Sequence, residues 1–321
     1  MPAIFASAPG KAILFGEHAV VYGRPAIAVP VTQVQAKATV LADPLGPQGR
    51  VHIQAPEIQL DSDLADLPAD DPLVLAVRGV QQALGADHLP ALKLRISSTI
   101  PVAAGLGSGA AVSVAIVRAL SAFLGHPLVD ETVSALAYEV EKKHHGTPSG
   151  IDNTVVTYAR PIYFVRDQPF EILQPAEAFT LVIADSGVRS PTRLAVAEVR
   201  QCWQADPDRY EALFDAIGQI AWQARQVITG GPPMALGPLM SENQRLLTQV
   251  GVSSAELDFL VETALQAGAA GAKLSGGGRG GNMIALAAPE NAGRILTALQ
   301  NAGAKRVIIS TINPVAPDFK K

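Results

Sequence analysis

Ile100-Pro-Val-Ala-Ala-Gly-Leu-Gly-Ser-Gly-Ala-Ala-Val-Ser-Val114 is the stretch on which the reading of this chain turns. Ahead of it, residues 92–98 alternate apolar and polar side chains as a half-buried strand does; after it, residues 110–124 are rich in Ala, Val and Leu at helical spacing. The loop therefore opens a helix. Gly105, Gly107 and Gly109 free the backbone for φ > 0 and leave no Cβ in the way of an approaching group, while the first helical N–H groups point outward. Such a loop is either a flexible connector or a cradle for an anion, and the usual anion at a helix N-terminus is phosphate. It has neither the G-x-G-x-x-G spacing of a dinucleotide site nor a Walker Gly-Lys-Ser/Thr.

Outward from the loop, helices and strands alternate. Towards the N-terminus, residues 4–7 and 12–15 are short apolar runs on either side of Ala8-Pro9-Gly10-Lys11, followed by Gly16-Glu17-His18. Residues 27–30 and 33–41 read as two further strands, the second alternating at Val34, Ala36, Ala38 and Val40. Residues 72–84 have helical periodicity. Downstream, residues 130–144 form a helix that His145-Gly-Thr-Pro-Ser-Gly150 stops, and residues 155–159 with 161–165 read as a hairpin. Beyond a strand at residues 180–185 the pattern shifts to long helices, 192–204, 209–228, 236–250 and 255–266, which sets a domain boundary near residues 170–180. The chain closes with strand 270–274, a glycine cluster from Gly276 to Gly281, strand 282–287, helix 290–302 and strand 306–312.

Composition narrows the function classes. The chain has 321 residues, 48% of them hydrophobic, and a net charge of −4, enough for about two domains. With no long basic run, nothing favours nucleic acid as a partner. No apolar run is long enough for a membrane span, and Lys11, Glu17 and His18 interrupt the first apolar segment, unlike a signal peptide. The single cysteine, Cys202, permits neither a disulfide framework nor a Cys-rich metal site. A cytoplasmic protein acting on small molecules is expected. His144-His145 after Glu141 lacks the His-Glu-x-x-His spacing of a zinc site.

Taken together, Pro9-Gly-Lys11 with Gly16-Glu-His18, the Gly105-Leu-Gly-Ser108 loop, His145-Gly-Thr-Pro-Ser-Gly-Ile-Asp152 and the late glycine cluster resemble the superfamily of galactokinases, homoserine kinases, mevalonate kinases and phosphomevalonate kinases. Glu242-Asn-Gln244 and Gly271-Ala-Lys-Leu274 share the likeness. Lys11, where galactokinases carry arginine, and Ala19-Val20 after the Glu-His pair bring it nearest to the mevalonate kinases. The resemblance implies an α+β fold of two domains: an N-terminal one similar to domain 2 of ribosomal protein S5, residues 1–175, and a ferredoxin-like C-terminal one, residues 176–321. It implies ATP and mevalonate as substrates, Mg²⁺ as cofactor, phosphorylation of the 5-hydroxyl, no membrane or nucleic-acid partner, and is compatible with a homodimer.

By the same resemblance Asp152 accepts or orients the proton of the attacking alcohol and Lys11 stands beside it. A lysine within about 4 to 6 Å holds such a carboxylate ionised. Taken alone, the other reading of Asp152, and the lesser one, is an Asx turn with Asn153. Pro101, Ala104, Gly105, Leu106, Gly107, Ser108, Gly109 and Ala110 match the ATP-binding loop. Glu141 matches the family's Mg²⁺ ligand, an oxygen-seeking cation suiting a carboxylate, and Ser108 or a water would complete the coordination sphere, because the family's serine ligand falls on Gly109. Glu17, His18 and Thr192 match substrate contacts, although Thr192 could equally be a helix N-cap. Two positions depart from the family's usual spelling: Gly109 stands where a second serine is common, and Arg279 interrupts the glycine cluster, which ends at Asn282 in place of a cysteine.

Overall fold

The structure is a computed structural model that describes residues 3–101, 105–145 and 148–314. In chain order its first part gives β1 (Ile4–Phe15), β2 (Ala26–Ala42), β3 (Val51–Ala55), β4 (Leu60–Asp63), α1 (Pro72–Ala83), β5 (Leu92–Ser98), α2 (Ser108–Phe123), α3 (Asp130–His145), α4 (Ile151–Tyr158), β6 (Ile162–Phe164) and β7 (Glu171–Ile172). There follow β8 (Phe179–Asp185), α5 (Thr192–Ala205), α6 (Pro207–Gly230), α7 (Leu236–Val250), α8 (Ala255–Gln266), β9 (Gly271–Ser275), β10 (Asn282–Ala287), α9 (Ala292–Asn301) and β11 (Arg306–Ile312). Contacts divide the chain into two compact units. Residues 1–11, 34–102 and 107–159 make the first; residues 12–33, 103–106 and 160–321 make the second. Segment 12–33 thus belongs with the C-terminal part of the chain.

In the first unit, β4, β3, β5 and β2 are neighbours in that order, with β3 parallel to β5 and the other pairs antiparallel. From Val34 onward β2 alternates as its sequence demands, Val34, Ala36, Ala38 and Val40 buried and Gln33, Gln35 and Lys37 exposed. Its earlier part, residues 26–31, is buried on both faces and pairs with β6. The sequence reading split β2 near Pro30 and β1 at Pro9, but both strands run through their prolines. β1 pairs with β2, off the path of the other strands.

Helix α2 is buried along most of its circumference and packs against α1, α3 and α4, which explains why its sequence is apolar nearly all round. Residues 155–159, expected as a strand, belong instead to α4. Gly150, at φ 93°, turns the chain into this helix and Ala159, at φ 50°, closes it. Val155 and Val156 favour strands intrinsically, but burial against α2 and α3 decides their conformation.

In the second unit β11, β8, β10 and β9 form an antiparallel sheet in that order. Numbered within the unit the order is 4-1-3-2, the ferredoxin-like arrangement expected from the resemblance. Helices α7, α8 and α9 pack on this sheet, and every residue of β9 and β10 is buried.

Candidate active site

The first unit gathers Lys11, Gly107, Ser108, Gly109, Ala110, Glu141 and Asp152 around the start of α2. Gly107 precedes the helix at φ 73°, and a Cβ there would lie 2.8 Å from Cγ of Lys11. Glycine is required twice over, by the left-handed backbone and by the lysine stem that lies against it. The helix begins at Ser108, two residues earlier than its apolar run suggests, so Gly109 sits inside the first turn and not at positive φ. The bond from Ala111 N–H to Gly107 O, 3.0 Å, opens the helical ladder. The N–H groups of Ser108, Gly109 and Ala110 therefore have no intrahelical acceptor and carry the positive end of the dipole.

Lys11 Nζ lies 3.0 Å from Asp152 Oδ2, the lysine side chain 6% exposed and the aspartate 33%. Asp152 stands in the first turn of α4, which rules out the isolated Asx turn and places the carboxylate where the helix dipole favours a negative charge. Asn153 ties this turn to α3 by donating to Ser134 O at 3.1 Å and to Ser134 Oγ at 2.9 Å.

Glu141, on α3, is buried, and a Cβ on Gly109 would meet its Oε1 at 3.0 Å. Burial, first, and the nearby charge of Asp152, second, push its pKa up to about 7, while Lys11 opposes them. A carboxylate is thus held out of water near another carboxylate, next to the start of a helix. Among the described residues no group of three or more His, Cys, Asp and Glu side chains is placed to hold a metal.

Glu17, His18, Gly105, Leu106 and Thr192 lie in the second unit. Gly16, at φ 92°, passes so close to the neighbouring strand that a Cβ would be 2.4 Å from Cα of Ala26. Glu17 and His18 follow in this tight turn, both buried. The Glu17 side chain is wholly enclosed and ion-paired with Lys273, also wholly enclosed. His18 adopts φ 60°, uncommon for a residue with a side chain. Its Nε2 is 3.0 Å from Gly277 O, so Nε2 carries the proton and Nδ1 the lone pair. Burial lowers its pKa to about 4 against the help of the Gly277 carbonyl, with Arg279 adding to the depression, and the ring is neutral at pH 7.

Thr192 begins α5 behind Pro191, which occupies the cap position; a Cβ on Gly277 would lie 3.0 Å from Thr192 Oγ1, so His18, Gly277 and Thr192 are contiguous. Arg279, at φ 58°, ion-pairs with Glu198 of α5, and its guanidinium donates to Gly251 O. Of the loop residues, Gly105 lies near Asn282, Leu106 and Ala110 are buried, and Pro101 is half-buried, while Ala104 lies outside the described residues.

Sequence reasoning did not assign Lys273, Ser275 and Gln244 any part in the site. Ser275 Oγ accepts from Ile13 N–H at 3.0 Å and donates to Ile13 O at 2.9 Å. Gln244 accepts from Leu274 N–H at 2.8 Å and donates to Ser253 and Asp258. The available signal was a lysine inside an otherwise apolar strand, matched by a glutamate inside another apolar segment, since buried charges come in pairs.

A helix N-terminus open to an anion, a lysine-paired aspartate and a buried carboxylate beside them are features that suit phosphoryl transfer from a nucleotide. The chain belongs to the GHMP kinase family: residues 72–160 match the GHMP kinases N terminal domain and residues 224–305 the GHMP kinases C terminal domain. It is 35% identical over 326 residues to the mevalonate kinase of Thermococcus sibiricus, covering 95% of each chain. To the mevalonate kinase of Pyrococcus furiosus it is 36% identical over 322 residues, again 95% of each. Among solved structures it is similar to L. major mevalonate kinase in complex with R-mevalonate, with a TM-score of 0.84 at 33% identity over 97% of this chain and 96% of that one. The mevalonate kinase of Staphylococcus aureus MRSA252 gives 0.73 at 29% identity, over 98% and 100%.

Proposed function

We propose that this chain is an ATP-dependent mevalonate kinase, transferring the γ-phosphoryl group to the 5-hydroxyl of (R)-mevalonate and releasing ADP. The observation that carries the reading is the Lys11–Asp152 pair at 3.0 Å beside the start of α2. Asp152 takes up or orients the hydroxyl proton. Lys11, ion-paired with Asp152, stabilises charge on the phosphoryl oxygens as it develops. Backbone N–H groups from Ser108 to Ala110 cradle the phosphates, with Gly105 and Gly107 shaping the approach. Pro101, Ala104 and Leu106 belong to the same loop.

Mg²⁺ suits this donor set. Glu141 is a buried carboxylate beside Asp152, with its pKa pushed up by burial, and Ser108 opens the adjacent helix. Two protein oxygens, completed by phosphate and water, are what this small cation takes. Glu141 and Ser108 would hold it; when bound, it neutralises phosphate charge.

On the substrate side, a neutral His18 with its lone pair on Nδ1 is an acceptor for a hydroxyl, and Thr192 offers a second hydroxyl contact. Glu17 acts from behind His18. No helix of the described residues is long and apolar enough to cross a membrane; work in the cytoplasm, as a monomer or homodimer, fits this reading. The test is a panel of acceptors, (R)-mevalonate, 5-phosphomevalonate, homoserine and galactose, each with ATP and Mg²⁺. Phosphate on the 5-oxygen of mevalonate alone is expected; transfer to another acceptor with none to mevalonate refutes the assignment.

A further inference from the structure

The 13–18 segment, which carries Glu17 and His18, is gripped three times by alternate residues of one stretch. Ser275 holds both the N–H and the carbonyl of Ile13, Lys273 pairs with Glu17, and the carbonyl of Gly277 holds the His18 ring. Residues two apart on a strand share a face, so Lys273 and Ser275 of β9 present their side chains to the same segment, and the chain just beyond β9 offers the Gly277 carbonyl. From the other side Gln244 fixes β9 itself by accepting from Leu274 N–H.

Among these grips the ion pair is the unusual one. Both side chains are wholly enclosed, and Lys273 Nζ also donates to Leu274 O at 2.6 Å. Burial lowers the pKa of Lys273, and the charge of Glu17 resists that shift. A buried ion pair is a poor source of stability compared with apolar packing, whereas its removal on one side is severe, so its use lies in fixing geometry. The geometry fixed here is demanding. Gly16 and His18 both have left-handed backbones, and the turn between them holds one only because its surroundings over-determine it.

We propose that Lys273 is a positioning residue for the alcohol substrate: through Glu17 it locks the Gly16–His18 turn, so that the His18 ring meets Gly277 in one orientation and one tautomer. Glu17, on this account, does not touch substrate. The inference rests on the kinase reading for its kinetic consequence, but its structural core does not.

The experiment has two arms. In the first, ¹⁵N-labelled protein without substrate reports the tautomer of the His18 ring by long-range ¹H–¹⁵N correlation. Wild type should show a single Nε2–H form that persists down to about pH 5. Lys273→Met, and the double variant Lys273→Met/Glu17→Gln, which removes both charges and avoids stranding one, should show mixed tautomers and titration nearer to the ordinary histidine range. In the second arm, kcat/KM for the accepted alcohol should fall on the order of 10²-fold, as for a misplaced contact, with KM for ATP unchanged. If Lys273→Met does not fold, the double variant decides. A folded variant with the wild-type His18 signal, or one that loses ATP and alcohol binding equally, overturns the proposal. Should mevalonate prove not to be the acceptor, only the substrate of the second arm changes; the first arm stands or falls on its own.

Discussion

Replacing Glu141 by Gln should make the ligand-free protein more stable while weakening it as a kinase. The carboxyl is buried next to Asp152, and its pKa rises from 4.5 to about 7. A raised carboxyl pKa means that the folded state binds the proton more tightly than the unfolded one. Its stabilising contribution is therefore complete below pH 4.5 and disappears as pH rises through 7. At 1.36 kcal/mol per unit, the charging penalty is under about 1 kcal/mol at pH 5 and approaches about 3 kcal/mol at pH 8, an upper figure because Lys11 adjusts when the charge is removed. Glutamine has the shape of the neutral acid and is free of that penalty. Urea denaturation in EDTA, at pH 5 and pH 8, reads the difference: the two proteins should nearly coincide at pH 5 and separate at pH 8, the variant being the more stable. With ATP and Mg²⁺ the order should reverse in activity, the variant needing more Mg²⁺ for half-maximal rate. An equal stability difference at both pH values would refute the electrostatic account, and an unchanged Mg²⁺ requirement would remove Glu141 from the metal.

Asp152→Asn should lower kcat by about 10²- to 10⁴-fold, the usual worth of a positioned proton acceptor, with nucleotide affinity intact by fluorescence titration; near-normal turnover excludes Asp152 from the chemistry. Gly109→Ser should fold normally, because Gly109 is not at positive φ, and the Glu141 carboxylate need yield only a few tenths of an ångström to a Cβ 3.0 Å away. Its hydroxyl should lower the Mg²⁺ concentration for half-maximal rate where Gly109→Ala does not, and equal behaviour of the two shows that the serine oxygen adds nothing. His18, with its pKa depressed from 6.5 to about 4, contributes stability that is present above pH 6.5 and lost as pH falls towards 4, at most about 3 kcal/mol in all. Glu141 works in the opposite sense over that window, so the quantity to measure is wild type minus His18→Gln between pH 7 and 4.5; a flat difference rejects the buried neutral ring.

What the sequence made legible was local. The glycine loop that opens α2, the Lys11 and Asp152 motifs and the alternation of β2 each signal within a few residues. Prolines misled: Pro9 and Pro30 read as breaks, yet β1 and β2 pass through both. Propensity misled at Val155 and Val156, whose conformation is set by α2 and α3 and not by their own preference. The grip on Glu17 was illegible for a different reason. Lys273 is 256 residues away in the chain, and only the fold brings the two together. Glu17 read as a substrate contact because its motif resembles one, and nothing local distinguishes a carboxylate that meets a ligand from one that meets a buried lysine.

That separation orders events during synthesis. The stretch 13–18 leaves the ribosome well ahead of the strand that grips it, which comes 256 to 262 residues later. At about 5 to 20 residues per second the interval is roughly 13 to 50 s. Throughout it the Glu17 carboxylate has no lysine to enter the interior with, and stays in water. The first unit ends at residue 159 and has its chain complete well before then. The turn bearing His18 thus waits on a strand made far later before it acquires its shape.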